Sequence, residues 1–217
     1  MSIAPGPLKP SLRGVSHQWG FVVSVVCGVV LVALAPSGRA LVAASIYGAA
    51  VSALLGTSAL YHRIDWRPGA RRWMRRLDHA MIFVLIAASY TPVALLAMHG
   101  ALATAVLVVA WAGALGGVAM ALVWTDRHKW VSAVISASLG WVALITLTQL
   151  PATIGWGAVA ALLASGALYT AGAVIYARQR PNPLPGVFGY HELFHALVLA
   201  AAAIHYAVVA FVILPLG

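Results

Sequence analysis

Seven apolar runs, separated by short polar or proline-bearing stretches, organise this sequence. They cover approximately Trp19–Ala35, Leu41–Tyr61, Met81–Met98, Leu102–Trp124, Val131–Leu150, Trp156–Ala177 and Phe194–Leu214. A hydrocarbon core of roughly 30 Å takes about 20 helical residues, so each run is long enough to cross a bilayer. Boundaries at Pro36, Pro68, Pro151 and the Pro181-Asn182-Pro183-Leu184-Pro185 cluster agree with that division. A lipid-facing backbone must satisfy its own hydrogen bonds, which selects helices for these runs. The pattern predicts an all-α, polytopic membrane protein: one seven-helix domain over residues 1–217, with residues 1–17 as an N-terminal arm.

Composition sharpens this picture. The chain is 63% hydrophobic and only 8% charged, yet carries a formal net charge of +9. In a soluble protein that excess would suggest nucleic acid. Here the basic residues sit between apolar runs and read as topology signals, so no nucleic-acid partner is expected. Twelve of the thirteen Lys and Arg fall on one set of alternate loops: Lys9 and Arg13; Arg63, Arg67, Arg71, Arg72, Arg75 and Arg76; Arg127 and Lys129; Arg178 and Arg180. Only Arg39 lies on the other side. The positive-inside rule then predicts a cytoplasmic N-terminus and an outward C-terminus in a cell membrane. Lys9, Arg13 and the Ala33-Leu34-Ala35 stretch also fit a cleaved leader. The run is long for one and Pro36 would follow the cut, so the first helix is expected to remain. A lone Cys27 excludes an internal disulfide framework.

The arginine-rich second loop admits two readings. Trp66, Ala70, Trp73 and Leu77 recur at helical spacing, as in an amphipathic segment lying on an anionic leaflet through Arg63–Arg76. A solvated basic loop that only anchors topology fits equally well.

The candidate chemistry lies in the few ionisable residues within the apolar runs, where such groups are costly. His62 closes the second run, Asp78 precedes the third, and His191 and His195 open the seventh. Spacing of four sets the last two rings on one helix face. The predicted topology brings all four to the cytoplasmic side, although nothing in the loop count required it. Three imidazoles suit zinc, whose catalytic sites commonly keep three protein ligands and one open position. Ser58, one turn before His62, and Asp78 are the candidate catalytic residues, Asp78 as proton relay. Plainer readings stand beside these. A single membrane histidine is more often bonded to a carbonyl, Asp78 could be an N-cap, and Ser58 could bond back to its own helix.

His191-Glu192-Leu193-Phe194-His195 also spells HExxH, a metalloprotease signature with Glu as general base. The extended form would need a histidine where Ala201 stands, and no Asp or Glu follows Glu192. Peptide cleavage therefore ranks low, with Glu192 placed at the cytoplasmic mouth. His205 lies roughly 21 Å beyond His191 along a helix, too far to share a metal. It is expected to line an inner cavity or bond another helix. His79 is expected at lipid headgroups, and His17, His99 and His128 at helix ends as interfacial residues. Gly113-Ala114-Leu115-Gly116-Gly117 and Ala200–Ala203 are expected to allow close helix packing.

Several motifs resemble the haemolysin III branch of the progestin and adipoQ receptor superfamily. They are Arg13-Gly14-Val15-Ser16-His17, Ser58-Ala59-Leu60-Tyr61-His62, Leu77-Asp78-His79, Ser89-Tyr90-Thr91-Pro92, and Phe188 to His195 running on to His205-Tyr206. The resemblance implies seven helices with an inward N-terminus. It implies zinc held by His62, His191 and His195, with Ser58 and Asp78 around the metal water. It also implies hydrolysis of a lipid amide or ester, a ceramide-type substrate leading. The N-terminal arm is shorter than that of the receptor members, which argues against a hormone-receptor role. Two alternatives remain: a receptor or membrane-homeostasis factor with structural zinc, and a membrane-lytic cytolysin. The last is disfavoured because a chain this apolar would not diffuse as a soluble toxin.

Overall fold

Backbone groups facing lipid have no water to bond, and this chain answers with helix along nearly its whole length. The computed structural model describes residues 9–36, 38–124 and 129–217; the first eight residues of the arm, Arg127 and His128 lie outside the described residues. Seven helices follow in order: α1 (Val15–Ala33), α2 (Gly38–Arg63), α3 (Pro68–Pro92), α4 (Gly100–Trp124), α5 (Lys129–Trp141), α6 (Leu150–Arg178) and α7 (Tyr190–Val208). Wider or tighter turns prolong three of them: Val93–Ala97 after α3, Val142–Thr148 after α5, and Val209–Ile213 after α7. With these extensions, seven segments among the described residues are long and apolar enough to span a membrane.

Each helix packs against its neighbours in sequence, and α7 returns to pack against α1. The result is a ring of seven helices around an interior. Its outer face is apolar, with Val123 80% and Phe211 78% exposed, as expected of helices whose surroundings are lipid. Small residues bring the helices close. A Cβ added at Gly117 would lie 2.2 Å from the Phe83 ring, so α4 can approach α3 only with glycine there. Near the Ala200–Ala203 stretch, the Ser165 hydroxyl of α6 donates to the Ala201 carbonyl of α7 at 2.9 Å. Tyr90 anchors α3 to α5 by donating to the Leu139 and Gly140 carbonyls.

Several helices start earlier than the apolar runs, α6 at Leu150 and α7 at Tyr190 among them, and the largest difference is in α3. The third helix starts at Pro68, ten residues before Asp78. Proline suits the first turn, where its missing N–H has no partner to lose, and the Ala, Arg and Met that follow are good helix formers. The basic stretch is therefore mostly the leading turns of a membrane-spanning helix, and the true loop is residues 64–67. Arg71 reaches over the Tyr61 ring and Arg76 over Trp73. Asp78 lies well inside α3, so it is not an N-cap.

Candidate metal centre

Three elements deliver the chemistry to one end of the ring. His62 ends α2, His191 and His195 occupy the first two turns of α7, and Asp78 lies in the third turn of α3. The helical pair shares a face, as spacing four requires. All three imidazoles are buried, and one ligand nitrogen from each lies within 4.8 Å of the others. His62 Nε2 and His191 Nε2 are only 3.0 Å apart. His195 Nδ1 is buried without a hydrogen-bond partner.

This donor set fits a divalent metal. Tetrahedral zinc with bonds of about 2.0–2.1 Å separates its nitrogens by about 3.3 Å, close to the His62–His191 distance. Three converging neutral imidazoles, buried away from solvent, can hold such an ion with a position to spare.

Two oxygen-bearing groups border the cluster. Asp78 Oδ2 stands 4.0 Å from His62 Nε2, beyond a direct hydrogen bond but near enough to act on a group held between them. Ser58 lies one turn before His62 on α2 and is 3% exposed. It hydrogen-bonds to Asp78 and to His17 Nδ1, the latter at 2.9 Å. A cavity of about 210 Å³ opens from this point into the ring, lined by Ser58, Asp78, His191 and His195 at one end and by Val93 and Leu150 at the other.

Two histidines expected at the surface belong to the site. His17 is 2% exposed, because α1 begins at Val15 and turns its first face inward. Its ring stacks on His195, with centroids 3.7 Å apart and planes 10° from parallel. His79, expected at lipid headgroups, instead meets the Tyr176 hydroxyl of α6 at 3.0 Å and lines the cavity. The helix start at Pro68 already carries it into the bundle. Tyr176 had no mark in the sequence beyond being one of seven tyrosines. His205 does line the cavity, far from the cluster.

Glu192 has another task. It is 3% exposed, pairs through Oε1 with Arg13 Nε, and accepts the Gly189 N–H through Oε2 at 2.8 Å. Both oxygens are thus engaged in fastening the arm and capping α7, which removes the protease-type reading of HExxH. Backbone bonds from Ser11 N to Gly186 O and from Leu12 N to Val187 O extend the same attachment. Gly14 completes it. With φ +79° it turns the arm into α1, and an added Cβ would sit 2.6 Å from His62 Cβ.

The haemolysin-III-related family model matches residues 6–206. The chain belongs to the haemolysin III family. It is 29% identical to Hemolysin-3 of Bacillus cereus over 94% of this chain and 91% of that one. A Hemolysin-3 homolog of Bacillus subtilis is 28% identical, covering 88% of each. The human Monocyte to macrophage differentiation factor is 26% identical over 88% of this chain and 79% of its own. As a haemolysin III protein, this is a multi-pass membrane protein whose three clustered histidines could bind a metal.

Proposed function

We propose that this haemolysin III protein is a zinc-dependent hydrolase of a lipid amide or ester bond. His62, His191 and His195 hold the metal in this reading. The observation that carries it is the meeting of that buried cluster with a long apolar cavity. Asp78 on α3 and Val93 at the start of its extension both line the cavity and lie fifteen residues apart, about 22 Å of helix. A slot of that length and modest volume suits an acyl chain, with the carbonyl end at the histidines.

When bound, zinc supplies Lewis acidity, which polarises a carbonyl and brings the pKa of a water down to about 7. The chain's own groups do the rest. An Asp78 carboxylate oxygen accepts the proton of the attacking water and returns it to the departing amine or alcohol, so charge and atoms balance. Ser58 orients Asp78 through their hydrogen bond. The apolar lining excludes bulk water from the acyl chain.

The loop charges support a cytoplasmic N-terminus, which sets the site near the inner leaflet of a plasma membrane. The arginines between Arg63 and Arg76 would then face anionic headgroups, and a membrane lipid is the partner. A second reading keeps zinc structural, in a receptor or homeostasis factor. Asp78→Asn separates them. Turnover of a membrane lipid extract should fall at least about 100-fold with zinc content and melting temperature unchanged. Wild-type protein that never hydrolyses lipid, with an Asp78→Asn variant that keeps the cellular phenotype, would favour structural zinc.

A further inference from the structure

The slot assigned to the acyl chain is not apolar throughout. Leu85, Leu162, Phe194 and Val198 line its middle, yet His205 lines it further along. That residue lies near the centre of the Tyr190–Leu216 span, where an ionisable side chain is most costly. It stands ten residues beyond His195 on α7, about 15 Å along the axis, and is no part of the histidine cluster. An imidazole at such a depth calls for partners.

The protein supplies only one. The Ser89 backbone carbonyl engages one ring nitrogen, and the other has no partner among the described residues. The Tyr47 ring lies beside the imidazole, with centroids 5.5 Å apart. A carbonyl only accepts, so the nitrogen that meets Ser89 carries the proton. Asp78 is the one acidic residue lining the cavity among the described residues, and it lies at the other end. With no carboxylate to balance a second proton, the ring is neutral and its remaining nitrogen offers a lone pair.

We propose that His205 forms a second polar subsite in the cavity, which accepts a hydrogen bond from a hydroxyl carried far along a lipid chain. The inference deepens the hydrolase reading and rests on its placement of an acyl chain in the slot. The ligand that satisfies both ends is a long-chain lipid with its carbonyl at the histidine cluster and a hydroxyl about 15–20 Å away. Elsewhere in the apolar stretch a hydroxyl would be buried without a partner and would cost affinity. The subsite therefore selects for where the hydroxyl stands on the chain.

The test uses the full chain in detergent micelles and reads displacement of a fluorescent polyene fatty acid. The competitors are two saturated series from decanoate to octadecanoate, one plain and one with a terminal hydroxyl. The affinity ratio of hydroxylated to plain acid should peak at one chain length in wild-type protein. His205→Phe keeps a ring beside Tyr47 but has no lone pair; the peak should fall at least about 5-fold while plain acids bind as before. A ratio without a peak in wild type, or a peak that persists in His205→Phe, overturns the proposal. A second measurement needs no variant: with the hydroxyl moved along octadecanoate, wild-type protein should favour one position, and equal binding of all positions overturns the proposal. Failure of both series to displace the probe overturns it together with the acyl-chain reading. Selective binding by a protein that hydrolyses no lipid overturns the hydrolase alone.

Discussion

Gly14→Ala is a one-carbon change outside the histidine cluster that should nonetheless disturb it. The residue has φ +79°, a region that costs a residue with a Cβ roughly 1–2 kcal/mol. The new Cβ would also lie 2.6 Å from His62 Cβ. Carbon atoms in contact prefer separations of about 3.5–4.0 Å, so the pair must part by about 1 Å. Neither atom is the end of a flexible side chain, and the displacement falls on the backbone of α1 or of α2. Binding constellations tolerate about 0.5 Å before they fail. The variant should therefore bind zinc about 10–100-fold more weakly, the range seen when the support of a metal ligand is removed. Competition with a chromogenic chelator in detergent reads the affinity, and thermal unfolding of the metal-free protein reads the strain. Wild-type affinity together with an unchanged melting temperature would show that the arm does not press on His62 as described.

Other outcomes follow from the same geometry. Arg13→Ala strands the Glu192 carboxylate, which is 3% exposed, and should cost about 3 kcal/mol on thermal unfolding; Arg13→Ala with Glu192→Gln should recover most of it. Val198→Trp adds bulk to the wall of the cavity and should abolish lipid turnover while zinc content stays at the wild-type level. Should Val198→Trp hydrolyse lipid at the normal rate, the acyl chain does not enter this cavity. Ser165→Ala removes the bond to the Ala201 carbonyl and should lower stability by about 0.6 kcal/mol, the average for such interhelical bonds in membranes.

The spans were legible because hydropathy reports directly on lipid contact, and the runs agree with the seven helices to within a few residues in most cases. The largest departure, at the start of α3, is instructive. Hydropathy registers the apolar part of α3 from Met81 but not its basic leading turns, because arginine is a good helix former that simply prefers water. The convergence of His62 with His191 and His195 could be foreseen from spacing plus loop charge, since both constrain depth. His17 could not, because depth does not say which way a residue in the first turn of a helix faces. Its inward aspect depends on Arg13 meeting Glu192 and on the left-handed turn at Gly14, contacts distant in sequence. The fastening role of Glu192 was hidden for a related reason: HExxH fixes a spacing, while its partner Arg13 comes from the N-terminal arm, far away in sequence.

The metal itself offers the most direct test. Protein purified in mild detergent without added metal, analysed by inductively coupled plasma mass spectrometry, should carry about one zinc per chain, and the double variant His191→Ala, His195→Ala should carry almost none. Wild-type protein without zinc, or a double variant that keeps it, would contradict the account.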